Sequence, residues 1–145
     1  MGPAGASAGE RLTAALVAAG CLALLLVAAS LRPEVAGHGT HEQLGLPPCG
    51  WVVAFDRPCV TCGMTTAFAT AAEGRVLSAL AIQPLGALLC VGVAAMFWGA
   101  LHVAGLGSGL HRAASRALLR PRSLWLLALA AALAWAYKWF TWELT

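Results

Sequence analysis

The sequence of 145 residues has few charged side chains. Asp, Glu, Lys and Arg together make up 10% of it, against about 25% in soluble domains. Hydrophobic residues make up 60%, and a chain this short has too little interior to hide them from water. The nine Lys and Arg residues are thinly spread, which argues against a nucleic-acid-binding protein. Disordered chains are poor in apolar residues, so an integral membrane protein remains.

The sequence also lacks the motifs of common catalytic sites. It contains no H-E-x-x-H, no P-loop, no recognisable Ser-His-Asp arrangement and no pair of acidic residues within a hydrophobic segment. Five cysteines are too few for the dense disulfide framework of a small secreted scaffold. These absences favour a non-enzymatic subunit or accessory protein over an enzyme.

Three long apolar segments predict an all-α protein with three transmembrane helices, over residues 12–31, 84–106 and 123–142. A helix of twenty residues rises about 30 Å, enough to cross the hydrocarbon core of a bilayer. The segments outside these helices are an N-terminal tail (1–11), a cysteine-containing loop (32–63) and a basic loop (107–122).

Residues 64–82 predict one shorter helix after the cysteine loop. Its apolar residues recur at spacings of three and four, the period of a helix with one apolar face; they are Met64, Phe68, Ala71, Ala72, Val76 and Leu80. The polar run Glu73-Gly74-Arg75 interrupts the pattern. Because the segment is too charged to span easily, it is predicted to lie in the interface or to be re-entrant and packed on its neighbours.

The first hydrophobic segment has a second interpretation, as a cleaved signal peptide. Arg11 would form its basic region, and Ala28-Ala29-Ser30 offers small residues for cleavage. A signal peptide has a shorter apolar region, of about 7–15 residues, so a retained transmembrane helix is favoured. Cleavage would leave two transmembrane helices and the same loop orientation.

The arginines predict the orientation in the membrane. Four of them lie in the loop between the second and third spans, at positions Arg112, Arg116, Arg120 and Arg122, and Arg11 lies on the same side. Positive charge collects on the cytoplasmic side, so the N-terminus is predicted in the cytoplasm and the cysteine loop outside.

The cysteine loop holds the candidate site. Cys59 and Cys62 form a C-x-x-C pair, and Cys49 precedes them. Two cysteines at this spacing can bind one metal ion or form a disulfide. They also precede a predicted helix, whose N-terminal N–H groups and partial positive charge favour a thiolate. The three cysteines are therefore candidates for metal binding or for redox chemistry.

A tetrahedral zinc site needs a fourth ligand. His38 and His41 form an H-x-x-H upstream, and either of them can supply it. The alternative for both histidines is a solvated loop without a ligand. Zinc is accordingly a candidate cofactor, with no cofactor at all as its alternative.

These residues resemble a family of small bacterial membrane proteins known as domain of unknown function 2752. The resemblance covers roughly residues 44–105 and rests on Cys49, on the run from Cys59 to Thr65, and on the Gln83-Pro84 that opens the second span. The family pattern is a cysteine, then C-P-x-C-G-x-T-R, then a short helix, then Asn-Pro before a hydrophobic span. In this chain Val60 replaces the usual proline and Thr66 the usual arginine. The resemblance implies the architecture, the importance of the cysteines and a location in the inner membrane of a bacterium, and it names no reaction.

Three functions are compatible with the sequence. The favoured one is a non-catalytic membrane module, in which Cys49, Cys59 and Cys62 form a structural or metal-binding knot that docks a protein partner or membrane complex. The second is a thiol–disulfide redox protein, with Cys59 and Cys62 as the exchanging pair and Cys49 as a resolving thiol. It would need a quinone to pass electrons into the membrane, and the sequence shows no site for one. The third is binding or sensing of a thiophilic metal ion.

Overall fold

The computed structural model describes residues 5–109 and 120–142, which contain helices and loops but no strand. The helices are α1 (Ala8–Ser30), a 3-10 helix (Thr40–Leu44), α2 (Gly50–Phe55), α3 (Met64–Ala72), α4 (Val76–Ile82), α5 (Pro84–Leu106) and α6 (Pro121–Thr141). Within this part of the chain, α1, α5 and α6 are long and apolar enough to cross a membrane. The predicted all-α membrane architecture is confirmed.

Helices α1 and α5 pack against each other in opposite directions. Ser7 and Glu10 form a capping box that begins α1. Arg11, one turn further on, donates from Nε to the carbonyl of Ala104 (2.9 Å) and from Nη2 to that of Gly105 (3.1 Å). These carbonyls belong to the last turn of α5, where the helix itself supplies no donors. The start of α1 and the end of α5 therefore lie at the same end of the molecule.

The segment 64–82 is divided into α3 and α4 at the polar run noted above. Gly74 adopts a left-handed conformation (φ 86°), which the absence of a Cβ allows at no steric cost. Much of α3 is buried, including Thr66, Ala67 and Thr70. Because α3 packs on α1, α4 and α5, it belongs to the interior of the bundle.

A cluster of small side chains forms the core where α3, α4 and α5 meet. Its buried members are Ala67, Ala71, Ala79, Ala87 and Cys90. Small residues allow helices to approach closely in a membrane, where water supplies no force to join them. Gln83 begins α5 by accepting hydrogen bonds from the N–H groups of Leu85 (2.7 Å) and Gly86 (3.4 Å).

Helix α6 is joined to the cysteine loop by its C-terminal half. Trp135 donates to the carbonyl of Pro58 (3.4 Å), and Tyr137 donates to that of Ala81 (2.8 Å). The ring of Trp142 packs on His38 with centroids 4.7 Å apart. The end of α6 therefore lies beside the loop that joins α1 to α3. Of the predicted basic loop, Arg112 and Arg116 lie outside the described residues.

Candidate functional site

Helix α2 and the turn after it bring Cys49 and Cys59 together. Cys49 directly precedes α2. Asp56 directly follows it and has a left-handed backbone (φ 50°). The chain then folds back through a tight turn, in which the N–H of Cys62 donates to the carbonyl of Cys59 (3.0 Å). Gly63, also left-handed (φ 78°), leads from this turn into α3. The three cysteines therefore lie at the N-terminal end of α3.

Cys59 is a half-buried thiol close to Thr61 and Cys49. The hydroxyl of Thr61 lies 3.4 Å from its sulfur, and Cys49 lies near enough to affect its pKa. Burial alone would raise the pKa of Cys59. The hydrogen bonds to Thr61 and Cys49 outweigh burial and lower this pKa below its usual value. Cys59 therefore has the more available thiolate of the C-x-x-C pair.

Cys62 has the opposite character. It is buried, and its pKa is raised to about 11, first by burial and then by the nearby charge of Cys59. The expectation that the start of α3 favours the thiolate of both cysteines is therefore wrong for Cys62. Loss of contact with water outweighs the helix terminus, since a charge buried away from water is far less stable than an exposed one.

The three sulfurs line a cavity of about 620 Å³. One part of its wall consists of apolar side chains from the spanning helices, among them Leu24 and Val27 of α1 and Leu89 of α5. Thr61, Thr65 and His41 contribute polar groups to the same cavity. The thiols therefore face a space that has both an apolar and a polar lining.

The two histidines predicted as possible fourth ligands lie in different places. His41 lines the cavity, and its Nε2 is 3.2 Å from the carbonyl oxygen of Pro47. His38 packs on Trp142, and burial, followed by the charge of Lys138, lowers the pKa of its imidazole. Across residues 5–109 and 120–142, no three His, Cys, Asp or Glu side chains are arranged to hold a metal ion. Zinc binding by Cys49, Cys59 and Cys62 stays a prediction.

Thr66 makes a buried polar contact. Its hydroxyl is 2.8 Å from that of Thr40, and Thr40 also accepts a hydrogen bond from the N–H of Glu34 (3.0 Å). Both threonine side chains are fully buried. This neutral pair of hydroxyls ties the 3-10 helix of the loop to α3.

Sequence reasoning missed Lys138 as a candidate functional residue. The side chain is 1% exposed, and its Nζ is 3.5 Å from the carbonyl oxygen of Gly37 and 5.8 Å from the ring centre of Trp142. It also approaches Gly63, next to Cys62. An ionisable residue in a spanning segment is a functional candidate by default, and this rule would have found it.

Residues 49–98 match a family model. The family is described as "Protein of unknown function (DUF2752)". No curated protein and no solved structure matches the chain. The predicted resemblance to this family is confirmed over these residues.

The matched stretch contains the candidate site but not all of its surroundings. It includes Cys49, Cys59, Cys62 and the helices α2, α3 and α4. Helix α1, which forms much of the apolar wall, lies before it, and Lys138 lies after it. The thiols therefore belong to the part shared with the family, whereas part of the wall around them does not.

The two cysteines of the C-x-x-C pair are expected to react at very different rates with an alkylating reagent. A pKa of about 11 for Cys62, against the ordinary 9.0, leaves roughly a hundredfold less thiolate at neutral pH. The lowered pKa of Cys59 increases its fraction of thiolate at neutral pH. The pH at which the labelling rate of Cys59 is half maximal should therefore lie below that of an ordinary cysteine. Iodoacetamide labelling between pH 6 and about pH 10, followed by peptide mass spectrometry, measures both. Faster labelling of Cys62 at neutral pH would contradict this assignment.

Proposed function

We propose that this chain is a membrane thiol–disulfide redox protein, in which Cys59 is the reactive thiol and Cys49 its first partner. The observation that carries the proposal is that Cys49 and Cys59 line the same cavity, close enough for Cys49 to help lower the pKa of Cys59. Two neighbouring thiols of this kind can approach each other to form a disulfide, whose S–S length is about 2.05 Å. Cys59 is only half buried, so a substrate can reach it.

The chemistry is thiol–disulfide exchange with a partner protein. The Cys59 thiolate attacks a disulfide of the partner, so that one sulfur of the partner leaves as a thiolate and a mixed disulfide forms. Cys49, once deprotonated, attacks Cys59 in this mixed disulfide and releases the second thiolate of the partner. Two thiols of this chain are oxidised and one disulfide of the partner is reduced. The reverse sequence oxidises a dithiol of the partner.

This assignment changes the roles that the sequence suggested. There, Cys59 and Cys62 were the exchanging pair and Cys49 was the resolving thiol. Burial and the pKa of about 11 keep Cys62 in its thiol form at neutral pH, and the thiol form is a poor nucleophile. Cys49 is half buried and lines the same cavity as Cys59, so it is the better candidate for the second step.

The proposed orientation places the cysteine loop outside the cytoplasm, where disulfides persist. Arg11 supports it, because this residue binds the last turn of α5 and so lies at the end of the molecule where α5 ends. The positive-inside rule assigns that end to the cytoplasm, since the four arginines of the predicted basic loop follow α5 in the sequence. A membrane-impermeant maleimide tests this orientation, because in intact cells it reaches Cys59 only if the loop is outside.

The redox function is tested on the purified full-length chain in detergent. The reduced protein is equilibrated with glutathione redox buffers, quenched by alkylation and analysed by peptide mass spectrometry. We expect a disulfide between Cys49 and Cys59. The Cys59→Ser variant should form no disulfide, whereas Cys49→Ser should accumulate glutathione on Cys59, since the second step is lost. Cys62→Ser should retain the Cys49–Cys59 disulfide.

The variant Cys90→Ser is the control, because Cys90 is buried in the core between α3, α4 and α5, away from the cavity. It should behave as the unchanged chain does in the glutathione buffers. Bound zinc that protects all three loop cysteines from alkylation would overturn the redox proposal in favour of a metal site. Loss of protein abundance in all loop variants, with no disulfide in the unchanged chain, would favour the structural module instead.

A further inference from the structure

The cavity beside the thiols opens toward the hydrocarbon of the membrane. Leu24, Val27 and Leu89 belong to the spanning helices α1 and α5 and form part of its wall. Their side chains are 49%, 45% and 43% exposed. Exposed apolar residues of a spanning helix contact lipid. A hydrophobic molecule can therefore enter this cavity from the bilayer without passing through water.

Three polar residues line the same cavity as the thiols. They are His41, Thr61, which directly precedes Cys62, and Thr65, which follows Cys62 by three residues. These groups can donate hydrogen bonds to carbonyl oxygens. The volume of about 620 Å³ falls within the range of about 300–1,000 Å³ that is usual for small-molecule sites. The space thus fits a molecule with an apolar tail and a head that carries carbonyl groups.

A redox-active thiol pair needs a partner that takes its electrons. We infer that this cavity binds a lipid-soluble quinone, which oxidises Cys49 and Cys59. This inference rests on the proposed redox function, because only the need for an electron acceptor distinguishes a quinone from an ordinary lipid. A lipid has the same apolar tail but accepts no electrons. A quinone combines the tail, the carbonyl oxygens and the capacity for two electrons. The cavity therefore provides the quinone site that the redox function requires and that the sequence alone did not reveal.

The step is balanced between the thiol pair and the quinone. Cys49 and Cys59 each lose the hydrogen of an S–H bond, and a single S–S bond forms between their sulfurs. The two electrons and two protons that they release convert the two carbonyls of the quinone into the two hydroxyls of the quinol. The disulfide of this chain can then oxidise a dithiol of the partner protein, which restores Cys49 and Cys59.

The test uses the full-length reduced protein in detergent, without oxygen, and a short-chain ubiquinone as the probe. Loss of quinone absorbance is followed together with disulfide formation by mass spectrometry. We expect one quinol for each Cys49–Cys59 disulfide. The variant Leu24→Trp fills the cavity and should slow the reaction with quinone by about tenfold, the effect of losing about 1.4 kcal/mol of binding. Its oxidation by glutathione disulfide should change by less than about twofold.

Leu26→Trp is the matched control, since Leu26 lies on the same helix, is 62% exposed and does not line the cavity. It should react with quinone as the unchanged chain does. Equal slowing in both tryptophan variants, or in neither, would overturn the assignment of the quinone to this cavity. Oxidation by glutathione disulfide but not by quinone would overturn the quinone inference and leave the redox function standing. Failure of both oxidants would overturn both proposals.

Discussion

Gly63→Ala is expected to destabilise the protein by about 2–5 kcal/mol. A Cβ at this position would lie 2.6 Å from the carbonyl oxygen of Gly37 and 3.4 Å from both Cε and Nζ of Lys138. The first distance is too short for any Cβ, and the obstacle is backbone, which cannot move aside as a flexible side chain can. The left-handed backbone of Gly63 (φ 78°) adds about 1–2 kcal/mol for any residue with a Cβ.

Gly45→Ala separates these two contributions. Gly45 has nearly the same backbone angle (φ 76°), but nothing lies within 4 Å of the position of its Cβ. Gly45→Ala should therefore destabilise the protein only by the conformational cost of about 1–2 kcal/mol. Thermal unfolding of both variants in the same detergent measures the difference. If the midpoints fall by the same amount, the close approach of Gly63 to Gly37 and Lys138 does not stabilise the protein.

Gly63→Ala should also disturb the thiols, because the residue follows Cys62 directly. A Cβ would push the turn of residues 59–63 away from Gly37. Since that turn holds Cys59 against Cys49, we expect a smaller yield of the Cys49–Cys59 disulfide in glutathione buffers. Gly45→Ala should leave this yield unchanged, because Gly45 lies at the end of the 3-10 helix with no close neighbour.

Gly86→Leu is expected to lower stability by about 3 kcal/mol or more. A Cβ on Gly86 would lie 2.7 Å from the carbonyl oxygen of Met64 and 3.0 Å from the Cβ of Ala67. Both residues belong to α3, so even a methyl group would force α3 and α5 apart. The larger leucine would open the core where these helices cross, and the melting midpoint should fall markedly.

Gly92→Leu is the matched control on the same helix. No atom lies within 4 Å of the position of its Cβ, and leucine favours a helix over glycine by up to about 1 kcal/mol. This variant should be as stable as the unchanged chain or slightly more so. The comparison removes the general effect of adding an apolar side chain to a membrane helix. A similar fall in midpoint for both variants would show that close packing at Gly86 is unimportant.

The spanning helices were accessible to sequence reasoning because their cause is local. About twenty apolar residues in succession suffice to predict a helix that crosses a bilayer. The single helix predicted over 64–82 is instead two helices, α3 and α4, separated at the polar run 73–75. The capping role of Gln83 follows from its position before Pro84. The contacts of Tyr137 and Trp142 with the rest of the chain have no such local cause and were not predicted.

The sequence by itself determined that this is an all-α membrane protein with three cysteines grouped beside the start of a helix. The membrane helices and the grouping of the cysteines depend on residues that are close together in the sequence. They can therefore be predicted without knowing which distant segments of the chain meet. Only the tertiary structure decided that Cys49 and Cys59 line the same cavity, that Cys62 is buried and that Lys138 turns inward from α6. Burial and contact depend on which distant segments of the chain meet. The stability of the charged form of a side chain depends in turn on these surroundings. The cavity, too, exists only where α1, α3 and α5 converge on the cysteine loop.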